Sequence, residues 1–212
     1  VFLIMVSFLK IRDTQIVAIK QTAAGEFSVK KEKGQHTIFF DSLPVFSAPS
    51  ANKELIENVV HDALIMHPDP QSVLLIGFDP GYIQEILKHP VTHLTFLSGV
   101  PEFDQFLKDL NLPGVNSVLS DSRVFLARQD PRFFLQHNSK LFDVVLLADT
   151  SQMSLLSNRL FTREFFEKVH RSLYENGMFV LDVTVPRHYQ SNVQKQIIAM
   201  ICKTAISVFK HR

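Results

Sequence analysis

From Ser72 onward, apolar segments alternate with segments of helical periodicity, and this alternation constrains the fold more than any other feature. The predicted strands are SVLLIGF, THLTFLS, VNSVLS, FDVVLLA and MFVLDVT, and the predicted helices cover residues 81–88, 101–110, 122–136, 162–174 and 189–208. Continuous apolar strands bracketed by helices are typical of a mostly parallel sheet with both faces covered. Because strand–helix–strand crossovers are right-handed, the sequence predicts an α/β fold with a doubly wound sheet.

A β-rich segment precedes this alternation. QIVAIK, EFSVKKE and HTIFFD are short, rich in strand-forming residues and separated by the turn-forming QTAAG and KGQ. SLPVFSAPSAN then reads as a linker, and a helical pattern runs from Asn52 to Pro68. We therefore expect an apolar leader in residues 1–12, a small β-meander domain in residues 13–50 and an α/β domain in residues 51–212 that is truncated at its C-terminal end.

The leader has two interpretations. VFLIMVSFL is almost entirely apolar and is followed by Lys10 and Arg12. As a helix it would cross only about half of a bilayer, and a signal peptide would carry its positive charge before the apolar run. The segment is either a first strand or buried helical turn, or the end of a longer transmembrane helix with its basic residues on the cytoplasmic side.

Charge and cysteine content exclude several functional classes. The formal net charge is +1, so the composition does not indicate a nucleic-acid partner. The single cysteine, Cys202, excludes an internal disulfide framework and suits a reducing compartment. The sequence contains no Walker loop, G-x-S-x-G motif or cysteine zinc pattern, and we predict no metal site.

The loops that directly follow the predicted strands are the candidates for function. In open α/β sheets the ligand lies beyond the carboxyl ends of the strands, where the strand order reverses. These loops cover residues 77–81, 98–101, 120–123 and 148–158.

Four segments, in this order, resemble the spermidine synthase-like polyamine aminopropyltransferases. HPDPQSVLLIGFDPGYIQEILKHP resembles the family segment in which HPNP leads into a strand, a GGGDGG turn and a helix ending in KHP. SDSRVFL resembles GDGxxFL, FDVVLLADTSQ resembles YDVIIxDSSDP, and NRLFTREFFEKVHRSLYENGMFVLDV resembles LFTxEFYxxxxxxLxxxGxxxxQ. The resemblance implies a methyltransferase-type Rossmann domain behind a small N-terminal β domain.

Two stretches are most similar to a bacterial branch of this family, in which the domain follows a bundle of membrane helices. They are FSAPSANKELIENVVHDALIMHP and NRLFTREFF, the second of which begins the last segment quoted above. This likeness implies that residues 1–9 end a membrane helix and that the domain lies in the cytoplasm, at the inner face of a bacterial membrane. Because aminopropyltransferases commonly dimerise, the resemblance also implies a homodimer.

The family transfers an aminopropyl group from decarboxylated S-adenosylmethionine to an amine. The resemblance implies that the cofactor-binding residues are Gly77, Asp79, Gly81, Ser98, Asp121 and Ser122. Gly77 and Gly81 either shape a turn around the ligand or only allow a tight strand–helix connection. Asp121 either contacts adenine or caps the helix predicted after it.

Several polar positions of the family carry neutral or bulky residues here. The position of the carboxylate that holds the ribose falls on Ser98 or Gly99, and the two active-site aspartates fall on Ala148 and Ser151. Asp149 is the candidate catalytic base, with a solvated loop acid as the alternative interpretation. Phe78 adds a ring to the glycine loop where the ligand would pass.

These replacements favour a spermidine synthase-like protein that is degenerate at the site, a pseudoenzyme rather than a standard spermidine synthase. Its expected partner is a small amine or a nucleoside. The alternatives are an active aminopropyl- or methyltransferase and a purely structural domain attached to membrane helices. The cofactors considered are decarboxylated S-adenosylmethionine, S-adenosylmethionine and methylthioadenosine.

Overall fold

The structure, a computed structural model, describes residues 15–148, 158–182 and 191–209. Its N-terminal part is a four-stranded antiparallel sheet in the order β1-β2-β3-β4. The strands are β1 (Gln15–Gln21), β2 (Glu26–Glu32), β3 (Gln35–Phe40) and β4 (Leu43–Ala48).

The last strand of this sheet corrects the sequence-based prediction, which placed a linker there. Asp41 and Ser42 both have positive φ angles, of 46° and 67°. Two consecutive residues of this kind form the tight turn that returns a chain directly into an antiparallel partner. Pro44 is accommodated because β4 is an edge strand, where a missing backbone donor is tolerated.

The second part of the chain alternates helices with parallel strands. Its strands are β5 (Ser72–Gly77), β6 (His93–Leu97), β7 (Val124–Leu126), β8 (Phe142–Ala148) and β9 (Leu173–Leu181). Its helices are α1 (Lys53–Met66), α2 (Gly81–Ile86), α3 (Phe103–Leu110), α4 (Val115–Leu119), α5 (Pro131–His137), α6 (Arg163–Arg171) and α7 (Asn192–Phe209).

The second sheet has the order β7-β6-β5-β8-β9, and all of its pairings are parallel. The chain fills one side of β5 with β6 and β7 and then crosses to the other side for β8 and β9. This is the doubly wound arrangement, so the predicted α/β fold with a separate small β-sheet is confirmed. The direction of winding reverses between β5 and β8.

The prediction was wrong between residues 115 and 136. VNSVLS was predicted as a strand but forms helix α4, and the helix predicted over 122–136 is divided into strand β7 and helix α5. The physical reason is Pro131, which disfavours helical geometry at the residue before it and suits the first position of a helix. Asp130 accordingly has an extended backbone and begins α5 as its cap.

Two apolar layers cover the sheet, because neighbouring residues of each strand point to opposite faces. In β5, Val73 and Leu75 face helices α1 to α4, whereas Leu74 and Ile76 face α5, α6 and α7. The first layer continues into the N-terminal sheet through a cluster of phenylalanines, namely Phe27, Phe40, Phe46, Phe78, Phe103 and Phe106. This cluster fixes the small sheet over the carboxyl ends of β5 and β6.

The described residues contain no helix with both the length and the apolar character needed to cross a bilayer. Residues 1–9, on which the membrane-helix interpretation rests, lie outside the described residues.

Candidate ligand-binding cleft

The carboxyl ends of β5 and β8 meet at the point where the winding of the sheet reverses. Gly77 closes β5 and is paired with Ala148, the last residue of β8. A side-chain carbon on Gly77, whose φ is +157°, would lie 2.6 Å from the carbonyl oxygen of Ala148. Gly77 is therefore required by the close approach of two strand ends, at the place where sheets of this kind bind their ligands.

Asp79 lies in the loop that leaves β5. Its Oδ1 accepts a hydrogen bond of 2.7 Å from the backbone N–H of Gly81, which closes the turn into α2. Burial raises the pKa of the Asp79 carboxyl to about 6, although the Gly81 hydrogen bond acts in the opposite direction. A carboxyl group whose charge is destabilised at a strand end is a common feature of ligand sites.

Two cavities share Asp79 as a wall. One, of about 300 Å³, extends from the β4–α1 connection to Pro113 and Val118. The other, of about 350 Å³, lies between the N-terminal sheet and the start of α1, where Leu55 and Tyr82 complete its lining. Asp79 can therefore interact with a ligand from either side.

Phe78 does not block these cavities. Its side chain is buried and stacks on Phe40, with ring centroids 5.5 Å apart. It also packs edge-on against Phe103 at 5.1 Å. The ring that the sequence placed in the path of the ligand is thus part of the core that joins the two sheets.

Ser98 begins the loop after β6, but its hydroxyl is used within that loop. The Oγ atom donates to the carbonyl oxygen of Val100 at 3.0 Å and accepts from the Val100 N–H at 3.3 Å. The next residue, Gly99, has a φ of +80° and approaches Pro131, at the start of α5. Ser98 is at the expected edge of the sheet, and its hydroxyl is hydrogen-bonded to the backbone of Val100 in the same loop.

Asp121 and Ser122 lie at the opposite, amino-terminal edge of the sheet. They precede β7, whose first residue, Val124, pairs with Leu94 near the start of β6. Asp121 forms a two-point contact with Arg123 of 3.0 Å at each oxygen. The hydrogen bonds from Arg123 lower the pKa of the Asp121 carboxyl to about 2. The structure therefore does not bring these two residues together with Gly77, Asp79, Gly81 and Ser98.

The GDGxxFL pattern fits the chain a second time, at QDPRFFL, and this copy lies at the carboxyl edge. Asp130 follows β7, and its Oδ1 accepts the N–H groups of Arg132 and Phe133 at 2.9 and 3.2 Å. Its Oδ2 forms an ion pair of 2.6 Å with Arg159. Sequence reasoning chose the first copy and missed Asp130, although the Asp-Pro pair is a helix-start signal that favours the second.

A second residue outside the predicted set is Asp182, directly after β9. It is buried, with 5% of its surface exposed, and its backbone N–H donates to the Leu147 carbonyl at 3.0 Å. The Tyr82 hydroxyl donates a hydrogen bond to its Oδ2. Burial and the Asp182 charge raise the pKa of the Tyr82 phenol above its usual value, so the hydroxyl keeps its proton.

The remaining predicted site residue, Asp149, lies outside the described residues, as do Ser151 and the rest of the loop up to residue 157. Ala148 is described and is buried against Gly77. Among the described residues, no three or more histidine, cysteine, aspartate or glutamate side chains are grouped so that they could hold a metal ion.

Comparison of the sequence with known proteins identifies relatives of one family. The family model for the spermine/spermidine synthase domain matches residues 53–212. The chain is 32% identical to the polyamine aminopropyltransferase of Shouchella clausii over 145 residues, which are 66% of this chain and 52% of that protein. It is 29% identical to the Bacillus subtilis polyamine aminopropyltransferase over 174 residues, 80% of this chain and 62% of that protein. The chain spans about half the length of several of the curated relatives that it matches.

Solved structures show the same fold. A spermidine synthase in complex with the transition-state analogue AdoDATO superimposes with a TM-score of 0.78 at 19% identity, covering 92% of this chain and 66% of that one. The spermidine synthase from Thermotoga maritima superimposes with a TM-score of 0.75 at 19% identity, covering 92% of this chain and 65% of that one.

Proposed function

This chain belongs to the spermine/spermidine synthase family, and we propose that its cleft takes a small amine or nucleoside ligand without catalysing the standard spermidine synthase reaction. The cleft is the pair of cavities that share Asp79, just beyond the end of β5. Gly77, Asp79, Gly81 and Ser98 are the residues that we propose to contact an adenosyl ligand, with Asp130 in the place first given to Asp121.

The observation that carries this proposal is that two strand ends have no acid where the resemblance to the family implies one. Ser98 falls at one of these positions, and its hydroxyl is hydrogen-bonded to Val100. Ala148 stands where the family has an active-site aspartate, and it is packed against Gly77. Each missing charge-assisted hydrogen bond removes about 1.5–3 kcal/mol of binding free energy, which is roughly a tenfold to hundredfold loss of affinity.

The experiment is a calorimetric titration of the purified chain with decarboxylated S-adenosylmethionine and with methylthioadenosine, beside an assay for aminopropyl transfer to 1,4-diaminobutane. We expect weak binding of both adenosyl ligands and no transfer. Formation of spermidine would overturn the proposal, and micromolar binding of either ligand would contradict the loss of affinity inferred from Ser98 and Ala148.

An active aminopropyl- or methyltransferase is the second candidate. Two acids at the carboxyl edge, Asp79 and Asp182, favour it because an amine needs a carboxylate to orient it and to accept its proton. The transfer assay distinguishes this candidate from the first, and exchange of the diamine for other amine acceptors extends the test.

The remaining proposals concern the oligomeric state of the domain and its attachment to a membrane. A homodimer and attachment to N-terminal membrane helices at the inner face of a bacterial membrane both follow from resemblance to the family. Sedimentation of the purified chain tests the first. Fractionation of cells that express the full-length gene product tests the second.

A further inference from the structure

A cluster of charged and titratable side chains joins helices α1 and α2. At its centre is Glu85 on α2, of which only 2% is exposed. Its Oε2 pairs with Lys88 and lies 3.4 Å from Nε2 of His61, on α1. Lys88 also lies 3.6 Å from Glu57, one turn before His61 on α1. The cluster therefore connects two helices that both line the cleft.

The other ring nitrogen of His61 contacts a second histidine. Nδ1 of His61 lies 2.7 Å from Nε2 of His89, in the turn that follows α2. At this distance one nitrogen donates a proton to the lone pair of the other. If both imidazoles are protonated, every ring nitrogen carries a hydrogen, so two N–H groups face each other and no hydrogen bond forms. The contact therefore needs at least one neutral imidazole.

The surroundings favour a neutral imidazole at His89. Burial lowers the pKa of the His89 imidazole, and the charges of His61 and Lys88 lower it further. The Glu85 carboxylate acts in the opposite direction, but it faces His61 and does not cancel the other effects. His89 is thus the member of the pair that resists the second proton.

The other charged groups around the two histidines are themselves paired. Lys53 lies 3.5 Å from Glu57 on the same helix. Arg123 reaches the turn after α2 and is held by Asp121 through contacts of 3.0 Å. No acid in the described part of the chain lies within ion-pair distance of His89. The protonation of this histidine is therefore governed by the cluster itself.

The two helices also touch beside the cleft. Ile56 on α1 and Glu85 on α2 both line the cavity of about 300 Å³. A side-chain carbon on Gly81, at the start of α2, would lie 3.2 Å from Cδ1 of Ile56. With the helices this close, a change in their spacing changes the width of the cavity.

We propose that the contact between His61 and His89 is a pH-sensitive connection that holds α1 against the end of α2 and opens when the pair takes up a second proton. With one neutral imidazole the contact holds, and the cleft keeps its width. With two imidazolium groups the hydrogen bond is lost and like charges face each other, so the pair separates. The connection does not depend on which ligand the cleft takes, and it goes beyond the proposed function.

The direct test is an NMR titration of the histidine ring signals of the intact chain, assigned by substitution. We expect His89 to protonate below the ordinary histidine value of about 6.5. In His61→Gln, which keeps a polar side chain but carries no charge, the midpoint of His89 should move up toward that value. His137→Gln is the matched control, because His137 is exposed on α5 and its Nδ1 contacts only its own helix; it should leave the His89 midpoint unchanged.

Backbone amide signals show whether protonation opens the contact. Ile56 and Gln84 line the cavity from α1 and α2, and their amide signals should shift with the midpoint of His89 in the wild type. This component of the shift should be absent from His89→Gln. The wild-type titration needs no variant, so it decides the matter even if a substitution impairs folding.

Urea denaturation at a series of pH values gives an independent measurement. Because the unfolded chain takes up the second proton more readily than the folded chain, the histidine pair should lower the stability of the wild type as pH falls below about 6.5. His89→Gln cannot take up this proton, so its stability relative to the wild type should rise over the same range. Asp79 titrates nearby with the opposite sign, but it is present in both chains and cancels in the difference.

Three results would each overturn the inference. The first is a His89 midpoint that is the same in the wild type and in His61→Gln. The second is a stability difference between His89→Gln and the wild type that does not change with pH. The third is protonation of His89 without any accompanying shift at Ile56 and Gln84. None of these measurements uses a ligand, so they are independent of the binding and transfer assays that test the proposed function.

Discussion

Gly77 and Ala148 are in such close contact that a side-chain carbon on Gly77 would lie 2.6 Å from the Ala148 carbonyl oxygen. Gly77→Ala is expected to lower the free energy of unfolding by about 3 kcal/mol, because it combines a rarely allowed backbone conformation with overpacking against a strand end. Urea denaturation measures the change. The control is Gly114→Ala, where φ is +77° but no atom lies within 4 Å of the new carbon, so only about 1 kcal/mol of backbone strain is expected. Equal losses in the two variants would show that the contact with β8 is not what requires glycine.

Phe78 belongs to the core that joins the two sheets, and its replacement tests this position directly. Phe78→Ala removes a buried ring that packs against Phe40 and Phe103, and it is expected to destabilise the chain by about 3–5 kcal/mol. Phe133→Ala is the control, since Phe133 is exposed on α5, and its effect should be much smaller. If the Phe78 variant is nearly as stable as the wild type and binds ligands more tightly, then the ring lies in the cleft after all.

The parallel sheet was predictable because its strands are continuous apolar runs, such as SVLLIGF and FDVVLLA, and burial on both faces leaves few other arrangements. Strand β7 was missed because its Val-Phe-Leu is only three residues long and sits between two segments with helix signals. A short strand of this kind is stabilised by its pairing with β6, which no local pattern reports. The contacts of residues that pack between elements, such as Phe78, are also not predictable from local patterns. The sequence does not give the direction in which a side chain points.

The placement of candidate residues at the edge of the sheet was predictable where a residue type is tied to a strand end, and unpredictable where a motif fits twice. Gly77 ends β5, Asp79 and Gly81 follow that strand, and Ser98 follows β6, so the sheet brings all four to one edge. The motif match at Asp121 was used and the second match, at Asp130, was missed, and only the position of β7 separates the two copies. The hydrogen bond between Tyr82 and Asp182 joins residues 100 positions apart, a distance at which no local pattern reports a contact.

The Asp79 carboxyl should make the stability of the fold depend on pH. Its pKa is raised from 3.8 to about 6, so between these values the folded chain binds more protons than the unfolded chain. Stability therefore falls as pH rises from about 4 to about 6, and the ionised carboxylate destabilises the fold by about 3 kcal/mol at neutral pH. Asp79→Asn removes this charge and can keep the hydrogen bond from Gly81, so it should stabilise the chain at pH 7 and have little effect at pH 4.

Chemical denaturation at a series of pH values measures this dependence. The matched control is Asp109→Asn, on the exposed side of α3, and its stability relative to the wild type should change little over the same range. A loss of stability in Asp79→Asn at neutral pH would contradict the prediction. A buried carboxylate that destabilises the fold when it is ionised is not explained by packing. Such a carboxylate is more often found where a ligand binds.

Ser98→Glu should increase the affinity of the cleft for an adenosyl ligand. Ser98 is half-buried at the carboxyl end of β6, and a glutamate there can accept both ribose hydroxyls through one carboxylate, which a serine cannot do. We expect methylthioadenosine to bind at least roughly tenfold more tightly, as measured by calorimetry. Ser98→Gln has the same length without the charge and should give a smaller gain. If the glutamate variant folds and binds methylthioadenosine no better than the glutamine variant, the weak binding expected for this chain does not arise from the missing ribose carboxylate.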